Sequence, residues 1–292
     1  MKLITYIENQ RHGVGVIEGE TVVDLTRAGF ASSMLELVQK RNLLGHAVLE
    51  AKNSGAVRPL RDLRIAAPIP VPHRNIFCVG KNYREHAVEF GKSGFDGGAI
   101  GGEEVPEYPI IFSKPPSCVI GPGGTIRADL DPYASVDYEG ELAVIIGRDG
   151  LVRHDDDPQA FIFGYTIFND VTSRELQKRH KQWLLGKGID TFGPLGPAIV
   201  TPDEMTPFNS AYLRTWVNGE LRQESKLSNL IFGVDDLIRT IGRATTLKAG
   251  DIIATGTPAG VGIGFSPPKY LAKGETVTIQ IDGIGVLTNE VA

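Results

Sequence analysis

The chain has 292 residues and a net charge of −5, from 30 basic and 35 acidic side chains. At 41% hydrophobic and 22% charged it can bury a core, which excludes global disorder, and the lack of a basic surplus excludes nucleic acid as the main partner. Its 35 glycines and 18 prolines follow no triplet period, which excludes collagen and indicates many turns in a β-rich fold.

The N-terminal stretch reads as a strand rather than a secretory segment, and no apolar run approaches the ~18 residues of a membrane span. The expectation is a cytoplasmic protein with no membrane partner. Cys78 and Cys118 are too few for a disulfide framework and read as packing residues.

Lys2 to Ile7, Val14 to Ile17 and Thr21 to Asp24 have the pattern of strands. Ser33-Met34-Leu35-Glu36 has capping-box spacing and opens a helix through Lys40. A second helix runs from about His46 to Lys52, and Gly55 stops it. Pro68, Pro70 and Pro72 then read as a linker. The expected organisation is a small N-terminal α+β domain, residues 1–70, followed by a β-rich catalytic domain, residues 71–292.

In that second part, Ile76 to Val79, Ile110 to Ser113, Tyr138 to Ile146, Phe161 to Asn169, Leu213 to Val217, Ile252 to Thr255 and Thr276 to Ile281 read as strands. Asn218-Gly219 and Asp282-Gly283 are hairpin signals. Helices are expected after Asp170 and from about Val234 to Ile241. The segment 91–102 carries six glycines and few apolar anchors, and it reads as a mobile loop or lid.

The run from Asp137 to Ile146 bears most on chemistry. As a strand it puts Glu139 and Glu141 on the same face as Ala143 and Ile145, with Tyr138, Leu142, Val144 and Ile146 on the other. Apolar residues on both faces imply a strand buried on both sides, where two neighbouring carboxylates must share a proton or hold a cation. Asp170, at the end of another apolar strand, adds a third carboxylate. Carboxylates without matching Cys or His spacing suit a hard cation, Mg²⁺ or Mn²⁺, with Ca²⁺ also admissible. Beyond Asp170, Arg174 and Gln177 share a helix face.

Taken together, Glu139-x-Glu141, Asp170 with Arg174 and Gln177, Gly186-Lys187, the run Val79-Gly80-Lys81-Asn82-Tyr83-Arg84-Glu85-His86 and the run Thr255 to Gly262 resemble the fumarylacetoacetate hydrolase family. The motifs occur in family order between residues 76 and 291. The resemblance implies an α+β, β-rich fold, a mixed β-sandwich-like roll, with a metal-bearing cleft and a homodimeric assembly. It also implies that Glu139, Glu141 and Asp170 hold the divalent ion. The fourth carboxylate of larger members, just before the histidine motif, is replaced here by Val79, Gly80 and Lys81. Three protein ligands would leave about three octahedral positions open.

The same resemblance assigns Lys187 to the substrate oxygen, where it would stabilise an enolate. Arg174, Gln177, Thr257 and Tyr83 would bind substrate. His86 and Glu89, three apart on a helix, share a face, and a carboxylate beside an imidazole makes it a better base. Hydrolytic members use such a pair to activate water. The basic run Lys178 to Lys181 would attract anions.

The leading functional expectation is a metal-dependent hydrolase that cleaves a C–C bond in an acylpyruvate-type 1,3-diketo acid through an enolate. The alternative is decarboxylation, isomerisation or hydration of 2-oxo-diacids. The partner in either case is a small oxo-acid.

Overall fold

Alternation along the central run sorts side chains between two cores. Tyr138, Leu142, Val144 and Ile146 enter one buried apolar cluster, while Ala143 and Ile145 enter another. The strand itself is Gly140–Ile146, and all seven of its residues are buried. The computed structural model describes residues 1–92 and 105–292. Most of the glycine-rich segment expected to act as a lid lies outside the described residues.

Gly140–Ile146 is central to a twelve-stranded mixed sheet. Along its main path the order is Val57–Pro59, Thr21–Asp24, Arg11–Glu18, Lys2–Glu8, Gly193–Val200, Ile162–Asn169, Gly140–Ile146, Ile252–Ala254, Ile76–Gly80 and Ile110–Lys114. Gly140 pairs with Asn169 and Glu141 with Phe168, in antiparallel register. Glu141 therefore sits beside the end of the strand that immediately precedes Asp170. Ile252–Ala254 is parallel to Ile76–Gly80, which sends the chain into the helix Arg84–Lys92.

The first strand joins this sheet through Lys2 opposite Val200 and Leu3 opposite Ile199. The proline stretch after it is packed rather than exposed: Pro68 and Ile69 are buried, and Thr5 Oγ1 donates to the Pro68 carbonyl at 2.6 Å. The first helix is Met34–Gln39, with the Ser33 hydroxyl accepting from Glu36 N at 3.2 Å. The Glu36 carboxylate reaches back to Ser32 N rather than Ser33 N, a one-residue shift from the expected box. The second helix, Leu44–Asn53, starts earlier than its apolar pattern suggests.

A five-stranded sheet contains Glu220–Lys226, Tyr212–Val217, Thr276–Ile281, Gly285–Val291 and Thr125–Ile126. The Asn218-Gly219 turn has φ of 49° and 81°, as a two-residue hairpin with both central residues left-handed requires. Val136–Asp137 pairs separately with Thr172–Ser173. This short strand intervenes between Asp170 and the expected helix, which runs Arg174–His180 with its N-terminus capped by the Ser173 hydroxyl. The result is a β-rich α+β fold built on open mixed sheets. Among the described residues, no helix is long and apolar enough to cross a membrane. Both cysteines are free and buried.

Candidate metal centre and active site

Glu139, Glu141 and Asp170 each present a carboxylate oxygen within 4.8 Å of the other two, and all three residues are buried. The backbone fixes this convergence: Asp170 N donates to the Glu139 carbonyl at 2.8 Å, and Glu139 N donates to Asn169 Oδ1 at 3.0 Å. The ends of two neighbouring strands are thereby locked together.

Three side-chain cations share the negative charge. Lys187 Nζ donates to Glu139 Oε2 and to Asp170 Oδ2, each at 2.8 Å. Arg174 Nη1 lies 2.6 Å from Glu139 Oε1. Lys114 Nζ is 2.7 Å from Asp170 Oδ1 and donates to the Val171 carbonyl at 2.9 Å. The Lys114–Asp170 contact is one of charge, without the alignment of a hydrogen bond. Nothing in the sequence pattern singles out Lys114. A lysine at a strand end reads as solvated, and only the Asp170 loop buries it.

Glu141 differs from its neighbours. It accepts a hydrogen bond from Gly256 N at 2.8 Å, and among the described residues no lysine or arginine forms an ion pair with it. Burial, then Asp170 and Glu139, push its carboxyl well above the usual range. Burial acts the same way on Glu139, but Lys187 and Arg174 outweigh it and hold that carboxyl low. Burial opposes the charge on Lys187, yet Asp170 and Glu139 raise its pKa. One carboxylate without a cation, beside two that have partners, fits a site for a hard divalent ion.

Above this centre is a small cavity, with about 20 Å³ of enclosed space, whose lining includes Glu139, Arg174, Gln177, Lys187, Thr257 and His86. Arg174 Nη1 donates to Gln177 Oε1 at 3.3 Å, so the two expected substrate-binding side chains meet. Thr257 Oγ1 accepts from Gln223 Nε2 at 2.8 Å, which fixes its hydroxyl. His86 Nδ1 is 3.2 Å from Glu89 Oε2, and Glu89 accepts from Gly260 N at 3.0 Å. The helix carrying the pair is thus tied to the Thr255–Gly264 stretch. Lys81 also lines the cavity and is buried.

Two further placements differ from the sequence reading. Tyr83 is buried but does not line this cavity. Among the described residues its hydroxyl has no hydrogen-bond partner, and burial together with Glu141 raises its pKa. The basic run Lys178 to Lys181 is exposed and is also absent from the cavity lining. Asp137, by contrast, was present in the acidic run but carried no assignment. It accepts from Gly262 N, Ile263 N and Tyr138 N, and pairs with Arg174.

Residues 75–292 match the family model for the fumarylacetoacetate hydrolase C-terminal domain. The chain belongs to the fumarylacetoacetate hydrolase family. Among the family's proteins, an oxaloacetate tautomerase of Bacillus subtilis, YisK, is 46% identical over 232 residues, 80% of this chain and 74% of the relative. A fumarylacetoacetate hydrolase from psychrophilic Exiguobacterium antarcticum is 37% identical, with a TM-score of 0.83 over 100% of this chain and 99% of that one. A maleylpyruvate hydrolase from Sphingobium, solved with manganese(II) and pyruvate, is 28% identical with a TM-score of 0.78 over the same shares.

Proposed function

We propose that this protein is a divalent-metal-dependent enzyme that interconverts the keto and enol forms of a short 2-oxo-dicarboxylic acid of the oxaloacetate class. One observation carries the reading: the cavity wall combines a carboxylate-oriented imidazole, His86, with Lys187 of the acidic centre. A base beside the lysine of the acidic centre suits a metal-chelating oxo-acid with an acidic C–H. The 46% identity to an oxaloacetate tautomerase supports the same choice.

Glu139, Glu141 and Asp170 would hold Mg²⁺ or Mn²⁺, and the bound ion would supply Lewis-acid polarisation of the 2-oxo group. The relative solved with manganese and pyruvate supports this assignment. Arg174 and Gln177 bind the substrate carboxylate through charge-assisted bonds. Glu89 accepts the hydrogen bond of His86 Nδ1–H, which leaves the Nε2 lone pair to remove a proton from C3. Lys187 has three N–H donors, two of them engaged by Glu139 and Asp170. The third stabilises negative charge on the enol oxygen. Delivery of that proton from Nε2 to the enolate oxygen gives the enol, and the reverse sequence gives the keto form.

A second reading is hydrolysis of an acylpyruvate, the leading expectation from sequence. The His86–Glu89 pair favours it, because the same Nε2 can deprotonate a water. Either reading includes a homodimer, for which light scattering should give twice the 31.6 kDa chain mass.

The test is to supply metal-loaded protein with enol oxaloacetate and with acylpyruvates, following enol absorbance and product identity. Loss of enol absorbance without pyruvate supports tautomerisation. Pyruvate with a free acid supports hydrolysis. No absorbance change with any of these acids and any of the metals overturns both.

A further inference from the structure

A continuous aromatic wall runs along the cavity. Phe112 and Trp183 meet edge-on with centroids 5.1 Å apart, Phe90 is 6.5 Å from Trp183, and His86 is 6.1 Å from Phe90. Cations are interleaved with it. Lys187 Nζ is 5.1 Å from the Phe112 centroid, and Lys81 Nζ is 5.3 Å from that of Phe90. The wall thus extends from the proposed enolate-stabilising lysine to the proposed base, and any substrate reached by both lies against Trp183.

The position of Trp183 is fixed from three sides. Behind its ring is Gly80, where a Cβ would come within 2.7 Å of Cζ3 and 3.0 Å of Cη2. Only glycine lets the indole approach this strand so closely. Phe112 packs against its edge. Its own carbonyl accepts from Gly186 N at 3.0 Å and Lys187 N at 2.9 Å. The residue that supplies the ring therefore also begins the turn that carries Lys187.

We propose that Trp183, seated on Gly80, limits the length of the acid the cavity admits, selecting four-carbon oxo-diacids over longer acyl chains. This rests on the function proposed above. The enclosed space at this site is about 20 Å³, well below the ~300–1,000 Å³ of typical ligand pockets, so the ring at its wall leaves little slack for added carbons. A planar ring backed by Phe112 and by the Gly80 backbone has little room to yield. A fixed wall of this kind discriminates by ~10–200-fold per methylene. If Trp183 were only a packing residue, its truncation would weaken all substrates alike.

The experiment compares wild type, Trp183→Phe and Trp183→Ala with straight-chain 2-oxo-diacids of four, five and six carbons and with acylpyruvates of increasing acyl length. The quantity read is the ratio of kcat/KM for long over short substrates, with calorimetric Kd values for the same acids. Wild type should lose ~10-fold or more per added carbon. Trp183→Ala should flatten that dependence by at least tenfold, with Trp183→Phe in between. A ratio unchanged in the variants, or a wild type indifferent to length, overturns the proposal. Should Trp183→Ala fail to fold, the Phe variant and the wild-type series decide. Should wild type turn over none of the acids, the functional reading fails, and length-dependent Kd values still test the gate.

Discussion

Asp137 Oδ2 stands 2.8 Å from both Nε and Nη2 of Arg174, and neither side chain exposes any surface. The second Asp137 oxygen accepts from Gly262 N at 2.6 Å. This aspartate therefore couples the guanidinium to the stretch that carries Thr257. Burial pushes the Asp137 carboxyl up, and Arg174 works against that rise. Breaking one partner of such a buried pair costs ~3–5 kcal/mol. Asp137→Asn should lower thermal stability by that order and raise KM more than it lowers kcat, because Arg174 binds substrate rather than reacting. Wild-type melting and KM in this variant would show the pair to be dispensable.

Metal loading should depend on pH through Glu141. Its carboxyl is raised well above 4.5 in the folded metal-free protein, so the native state holds a proton that the unfolded chain releases. Metal-free stability should therefore fall as pH rises from about the unfolded value through the raised folded one. Cation binding must displace that proton, so affinity should increase with pH over the same window. Calorimetry in buffers of different ionisation heat should reveal proton release. Glu141→Gln should abolish loading and stabilise the metal-free protein at alkaline pH. Equal metal content in variant and wild type would remove Glu141 from the ligand set.

The imidazole and the ammonium should separate by reaction. His86→Ala should slow keto–enol exchange and acylpyruvate hydrolysis by ~10²–10⁴-fold, the range for a lost general base. Metal-dependent decarboxylation of oxaloacetate should survive, since no proton leaves carbon in that step. Lys187→Ala should slow all three by ~10²–10³-fold, as for other lost electrostatic donors. Unchanged proton exchange in His86→Ala would dismiss the assigned base.

How much of this was readable beforehand depended on the range of the interactions. The two-faced strand after Glu139 was legible because its alternation feeds two separate cores. The Asn218-Gly219 hairpin was legible because the turn is set by its own two residues. Lys114 was not, since its burial requires a loop distant in sequence. Asp137 was visible, but its partners are the N–H groups of Gly262 and Ile263 and a helix that starts beyond Thr172–Ser173. Tyr83 looked like part of the histidine motif, yet it forms an isolated bridge with Leu230 and lies outside the cavity lining. Trp183 carried no signal, because its role depends on the close approach of Gly80.

The contact between Glu89 and Gly264 yields a last prediction. A Cβ at Gly264 would lie 1.8 Å from Glu89 Oε1 and 2.4 Å from Cδ. The obstructed group is the end of a flexible side chain, so Gly264→Ala should fold and move the carboxylate aside. Glu89 would then lose both Gly260 N and His86 Nδ1. His86 would keep its position on the helix without the partner that orients it. Gly264→Ala and Glu89→Ala should each lower kcat to a similar extent, with KM little changed. The double variant should be no slower than either single one, because both remove the same interaction. Additive losses, or full activity in Gly264→Ala, would show that Glu89 does not act through His86.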